Sequence, residues 1–206
     1  MNRVIVMASG GLDSTTVCYG LHFDGIAVQP IFFDYGQHCA ETEWQKVSSV
    51  LPDGMDEPER IDISDIFKGS NSRMILEPDL WKEPVGDNDL YIPYRTLLFY
   101  SVAAARAQTL GITDVYSGFI NSNHVKEVDC GAEFLNGLEE LSEGVGSVRF
   151  HVPLRHNTKA DVVKQAIRLG VPIGLTFSCQ AQSSFPCGAC PNCVERLNAL
   201  EEAGIA

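Results

Sequence analysis

The stretch Ser9-Gly10-Gly11-Leu12-Asp13-Ser14 follows directly on the apolar run Val4-Ile5-Val6-Met7-Ala8, and a helical pattern begins within it. Strand, glycine turn and helix N-terminus in that order are how a parallel α/β sheet builds an anion site. Amides at the turn are left without intrahelical acceptors, and the helix end carries about half a positive charge. Glycine lets the backbone come close to a ligand without a Cβ in the way. No lysine follows the glycines, so this is not a Walker loop, and the spacing is not that of a dinucleotide fingerprint. Two glycines between hydroxyls suit a pyrophosphate gripped by amides and side chains. The nucleotide-binding set is therefore read as Ala8, Ser9, Gly10, Gly11, Leu12, Asp13, Ser14 and Thr15. An acid such as Asp13 beside phosphate makes chemical sense with Mg²⁺ present, because a bare carboxylate would repel the ligand.

Outward from this turn, the pattern predicts a helix from Asp13 to Phe23, closed by Asp24-Gly25, and a second apolar strand from Ile26 to Phe33. That strand runs into Asp34-Tyr35-Gly36-Gln37, polar residues at a strand C-terminus, where open α/β sheets bind ligands. Asp34 and Gln37 join the nucleotide set on that ground. A helix over 41–50 and a strand over 59–63 follow. Residues 68–90 lack periodicity, and a mobile lid is the expectation there. A long helix is expected to run to Leu110, with Thr96 as N-cap and Gly111 as its stop. A short strand over 115–118, a helix over 132–141, a strand over 148–154 and a helix opened by Thr158-Lys159-Ala160-Asp161 complete the alternation. The fold class is α/β, a mostly parallel sheet with helices on both faces. Residues 1–175 form the main domain and 176–206 a small cysteine knuckle with a C-terminal helix.

Four of the seven cysteines, Cys179, Cys187, Cys190 and Cys193, fall within fifteen residues. Four thiolates at this spacing suit a closed, structural tetrahedral Zn²⁺ site, and an iron–sulfur cluster is the competing reading. The net charge of −12 argues against a broad nucleic-acid surface, so no direct nucleic-acid partner is expected. No apolar run reaches the length of a membrane span, and no signal peptide is seen, so a cytoplasmic protein is expected. Lys159 opens a helix, where a cation is unfavourable unless an anion lies nearby. Arg95 at another helix start could meet a carboxylate or phosphate.

The Ser-Gly-Gly-x-Asp-Ser signature resembles the PP-loop of the N-type ATP pyrophosphatases. Within that superfamily, Phe33-Asp34-Tyr35-Gly36-Gln37, the Thr158-Lys159-Ala160 helix start and Thr176-Phe177-Ser178-Cys179 resemble the 7-cyano-7-deazaguanine synthase (QueC) family. The resemblance implies a ligase that uses ATP, with Mg²⁺ and a structural Zn²⁺, to turn 7-carboxy-7-deazaguanine and ammonia into the nitrile through an acyl adenylate and an amide. It implies catalytic work for Asp13, Ser14 and Lys159, and acceptor contacts at Arg95, Gly118 and Asp129. A homodimer is compatible with it. Three stretches depart from the family pattern, one of them Phe119-Ile120-Asn121-Ser122-Asn123, which lacks the acidic residue expected after Gly118. Pro93-Tyr94-Arg95-Thr96 stands where Pro-Gly-Arg-Asn is usual, and Glu127-Val128-Asp129-Cys130-Gly131 where Tyr-Pro-Asp-Cys-Arg is usual. A related ligase that stops at the amide, or loads a different carboxylate, therefore stays open.

Overall fold

Val4, Val6 and Ala8 pack into one hydrophobic cluster and Ile5 and Met7 into another, so β1 (Arg3–Met7) is buried on both faces. That explains its unbroken apolar run, the signature of a central parallel strand. The computed structural model describes residues 3–120 and 131–205. Around β1 lie β2 (Ala27–Asp34), β3 (Glu59–Asp62), β4 (Asp114–Ser117) and β5 (Arg149–His151), in the order β3-β2-β1-β4-β5 with every pairing parallel. Helices α1 (Leu12–Phe23), α2 (Ala40–Val50), α6 (Lys159–Leu169) and α7 (Pro191–Glu202) bury residues in the first cluster. α4 (Arg95–Leu110) and α5 (Ala132–Val145) cover the other face, and α3 (Asp87–Leu90) is a single turn before α4. The strand order reverses between β1 and β4. In open sheets of this kind the crevice at the carboxyl ends of those two strands is where ligands bind.

Gly111 and Gly170 end α4 and α6 in the left-handed conformation, as expected, and Thr158 and Asp161 form the capping box of α6. Three expectations need correcting. Thr96 is not the N-cap of α4: it lies inside the helix, fully buried, and the cap is Tyr94 at φ 63°. The last strand is only Arg149–His151, because Pro153 has no N–H for a ladder and the chain turns there, with Arg155 N donating to Val152 O at 3.2 Å. α5 runs past Leu141 to Val145, where Gly146 N donates to Ser142 O at 2.8 Å. Residues 68–90 lack regular structure over most of their length, yet Met74 and Leu90 are buried in the second cluster, and Arg73 N donates to Asp89 O at 2.7 Å. The exposed part of that segment centres on Trp81.

The short edge strand β5 is fastened by one carboxylate. Asp114, at the start of β4, accepts from Arg149 at 2.8 and 3.0 Å, from Thr113 at 2.7 Å, and pairs with His151 Nε2 at 2.7 Å. Burial pulls its pKa up, but these hydrogen bonds outweigh it and hold the group at about 2. A depressed carboxyl contributes stability above its unfolded pKa and loses it as pH falls through the folded value. Acid unfolding should thus deepen between about pH 4 and 2. Asp114→Asn should lower stability at pH 7 and flatten that acid dependence, as measured by urea denaturation at several pH values. An unchanged profile would mean that Asp114 does not fasten the edge.

Candidate active site

Gly10 adopts φ +73°, and a Cβ there would lie 2.9 Å from Val47 N, 3.0 Å from Glu43 O and 3.0 Å from Lys46 Cβ. Helix α2 therefore rests directly on the turn, and only glycine meets both demands. Phe177 N donates to Gly10 O at 3.0 Å, which ties the C-terminal segment to the same residue. Leu12 is fully buried and anchors the start of α1, a burial worth about 1.5–3 kcal/mol. No side chain caps α1, so the amides of its first turn have no intrahelical acceptor. Ser9 Oγ and Ser14 Oγ lie 3.2 Å apart, and Ser9 N donates to Ser14 Oγ at 3.2 Å. The result is a preformed ring of hydroxyls and amides at a positive helix end.

Lys159 Nζ reaches Asp13 Oδ2 at 2.6 Å, the lysine side chain 12% and the aspartate 25% exposed. The anion that the position of Lys159 demands is thus Asp13, carried from the other end of the chain. The second oxygen, Asp13 Oδ1, is buried with no hydrogen-bond partner among the described residues. One carboxylate oxygen committed to a lysine and the other open suits a hard divalent cation such as Mg²⁺.

A cavity of about 270 Å³ opens over this loop. Its lining includes Ala8, Ser9, Gly11, Leu12, Asp13, Ser14 and Lys159 from around the loop, and Phe33, Tyr35, Phe99, Phe119 and Arg95. Phe33 and Phe99 stack at 4.7 Å and 6°, and the Arg95 guanidinium lies 5.6 Å over the Tyr35 ring. Burial pushes the Tyr35 hydroxyl up, so it stays neutral. Arg95 follows Tyr94, among the described residues the non-glycine at positive φ, a conformation that costs about 1–3 kcal/mol.

The remaining expected residues differ in their surroundings. Gly10 lies beneath the loop, and Thr15 is buried within α1. Asp34, its side chain 14% exposed, is paired with Arg60 at 2.7 Å and accepts from Gly36 N at 3.1 Å. Gln37 lines the cavity, but its amide is committed to Tyr35 N at 2.9 Å, Phe33 O at 3.1 Å and Glu43 Oε2 at 2.8 Å. Gly118 reaches the cavity, with its Cα against the start of α1: a Cβ would lie 2.5 Å from Ser14 N. Asp129 lies outside the described residues. Glu43, Asn192 and Glu195 also line the cavity, and sequence reading did not single them out. For Glu43 the available signal was its place one turn inside a helix that opens beside Gln37.

The four expected cysteine sulfurs lie within 4.8 Å of one another, with Cys187 Sγ and Cys193 Sγ at 3.9 Å. Four sulfurs around a tetrahedral zinc at about 2.3 Å stand about 3.8 Å apart, so the set can hold a metal such as zinc. A multi-iron cluster needs sulfide and iron between its ligands, and sulfurs this close leave it no room. Amides of Ala189 and Cys190 donate to Cys187 Sγ at 3.4 and 3.2 Å, the second-layer support that thiolates want. A hydrogen bond from Cys179 pulls the Cys190 thiol down, and burial raises Cys193. A divalent ion held by this set would make every sulfur a thiolate. Cys190 caps α7 and Cys193 lies in its first turn, beside Asn192 and Glu195. Arg196 then bonds Thr176 Oγ1 at 2.7 Å and Ile173 O at 2.6 Å. The knuckle thereby fixes part of the cavity wall.

Among the described residues no helix is long and apolar enough to cross a membrane. A solved 4-thiouridine synthetase, crystallised with RNA and ATP, shares the fold at TM-score 0.50 and 18% identity, over 98% of this chain and 50% of that one. A 7-cyano-7-deazaguanine synthase from Campylobacter fetus is 30% identical across 100% of this chain and 96% of its own length. Another of the same name, from Thermoplasma volcanium, is 35% identical across 99% of this chain and 88% of its own. The family model described as queuosine biosynthesis protein QueC matches residues 3–204. With the PP-loop turn, the doubly covered parallel sheet and the four-cysteine knuckle in place, the chain belongs to the QueC family.

Proposed function

We propose that this chain uses ATP to convert 7-carboxy-7-deazaguanine and ammonia into 7-cyano-7-deazaguanine, through an acyl adenylate and then an amide. One observation carries the reading. A single cavity joins a phosphate-gripping end (Ser9, Ser14 and the first turn of α1) to an aromatic end that carries an arginine. A carboxylate is a poor electrophile, whereas an acyl adenylate has AMP as a good leaving group. The amides and hydroxyls of the loop would stabilise charge as it develops on the departing pyrophosphate. Lys159 holds Asp13 in place and adds positive charge to that end. Asp13 would hold Mg²⁺, which supplies further neutralisation of phosphate charge. The stacked Phe33 and Phe99 offer a flat apolar wall for a bicyclic base, and Arg95 a fork for its carboxylate. Holding both reactants in one cavity carries most of the rate, and no side-chain nucleophile is needed.

A second reading, in which the reaction ends at the amide or uses another carboxylate, rests on Tyr94. It is 77% exposed and left-handed beside Arg95, so the acceptor end has a helix start of its own kind. Product analysis separates the two. With ATP, ammonium and 7-carboxy-7-deazaguanine, AMP and pyrophosphate should appear only when the acceptor is present, and the nitrile should be seen by mass spectrometry. Accumulation of the amide favours the second reading, and ADP as nucleotide product refutes both.

A further inference from the structure

Ammonium has four N–H bonds and a nitrile nitrogen none, so the proposed reaction needs a group that removes protons from nitrogen. One proton leaves when ammonium becomes ammonia. A second leaves as ammonia's lone pair forms the C–N bond and the C–O pair departs with AMP. A third leaves when the amide oxygen takes an adenylyl group from the second ATP and pyrophosphate departs. The fourth leaves as the imidate C–O bond breaks to give the triple bond. Each is a proton transfer with no change of oxidation state. Lys159 and Asp13 are committed to one another at the phosphate end, and Arg95 is no base at neutral pH.

Glu43 stands apart from these. It lines the cavity from the first turns of α2, and Gln37 Nε2 donates to its Oε2 at 2.8 Å. The position is fixed by packing, since the backbone oxygen of Glu43 lies 3.0 Å from where a Gly10 Cβ would be. The backbone of Glu43 is thereby held to the turn that would grip pyrophosphate, and Arg95 of α4 lines the same cavity. We infer that Glu43 is the catalytic base of the nitrogen steps, accepting protons from the incoming ammonia and from the amide and passing them to solvent. The inference rests on the acceptor reading above.

Burial pushes the Glu43 carboxyl up to about 7, against hydrogen bonds from Gln37 and Cys39 and the field of Arg95, with Asp34 adding to the rise. Tyr35, the other titratable neighbour, stays protonated, and burial likewise keeps Cys39 a neutral thiol. A base poised near neutrality suits proton transfer at physiological pH. The sign for stability is opposite. A raised carboxyl pKa contributes stability that is present below its unfolded value and lost as pH rises through about 7. The ionisation that activates the site also loosens it.

The test compares parent, Glu43→Gln and Glu43→Asp proteins, full length and metal-loaded, in two assays with 7-carboxy-7-deazaguanine. ATP–pyrophosphate exchange without ammonium reads adenylation alone, and ammonium-dependent product reads the nitrogen steps. Glu43→Gln should keep exchange within about threefold while product formation falls on the order of 10²–10⁴-fold. The acidic limb of the parent pH profile near neutrality should vanish with it, and Glu43→Asp should recover part of the rate. Equal losses in both assays, or an acidic limb that persists in Glu43→Gln, overturn the role. A parent protein without acceptor-dependent exchange overturns the acceptor reading itself and the role with it, a result distinct from the other two.

Discussion

Replacing Cys190 with alanine should release the metal, lower the melting temperature by about 6–20 °C, and cut ATP turnover on the order of 10²-fold. The stability part follows from linkage, because a metal that binds only the folded chain adds its binding free energy to folding. Isolated zinc modules draw roughly 10–16 kcal/mol from such a site. Here α7 also has the hydrophobic core to hold it, through Ala199, so a loss of about 3–5 kcal/mol is the reasonable expectation. For a chain of this length each kcal/mol moves the midpoint by about 2–4 °C. The activity part follows from position. Cys193 shares the first turn of α7 with Asn192 and Glu195 in the cavity wall, and Phe177 N holds Gly10 O at 3.0 Å just before Cys179. A loosened knuckle therefore loosens the pyrophosphate turn. Calorimetry and metal analysis read the first effect, and acceptor-dependent pyrophosphate release the second. About one zinc per parent chain is expected. A Cys190→Ala protein that melts and turns over like its parent would show the cluster to be dispensable, and iron with sulfide in place of zinc would contradict the sulfur spacing.

What could be read from residues alone was whatever local chemistry fixes. The Val4–Ala8 run, the glycine pair and the Asp24-Gly25 stop each bias the backbone within a few residues, and together they place β1 and α1 correctly. The four cysteines were legible because metal ligation needs a residue type at a spacing, and both are written in the chain. Lys159 was half legible. A cation opening a helix announces that an anion must be near, but not that the anion is Asp13, 146 residues away. Asp34 was half legible for the complementary reason. Its strand end suggested the ligand side, while the side chain is claimed by Arg60 from the adjacent strand β3. Thr96 looked like a cap because capping preferences are local, yet the turn at Tyr94 put it inside the helix and under the core. Glu43 escaped because nothing within its own helix distinguishes it from Glu41, which is exposed and paired with Arg60 at 3.1 Å. The difference is made by α2 resting on Gly10, a contact between segments that sequence patterns do not encode.

Gly118→Ala should be among the most damaging single methyl additions in the chain, although glycine there has no positive φ to justify it. The added Cβ would lie 2.5 Å from Ser14 N, 2.8 Å from Asp13 C and 2.8 Å from Ser14 Cα, every one a backbone atom. A flexible side chain could swing aside, but here the end of β4 and the first turn of α1 must separate. Overpacking of this kind typically costs 1–3 kcal/mol and occasionally more, and a backbone-to-backbone clash belongs at or above the top of that range, about 3 kcal/mol. The melting temperature should fall by about 6–12 °C. The separation also moves Asp13 and Ser14 against the bound phosphates, and a misplacement near 1 Å costs about 10² in rate. Exchange of pyrophosphate should therefore fall about 10²-fold, before any nitrogen step. Gly137→Ala is the matched control. Gly137 lies exposed inside α5, and no atom falls within 4 Å of the added Cβ. Removing glycine's flexibility from a helix interior should stabilise by about 0.5–1 kcal/mol and leave exchange unchanged. The same substitution thus carries opposite signs at the two sites, which composition-based reasoning would not give. If Gly118→Ala instead keeps its stability and raises only the KM for the acceptor, then Gly118 serves acceptor binding, and β4 and α1 have more room between them than their close contact allows.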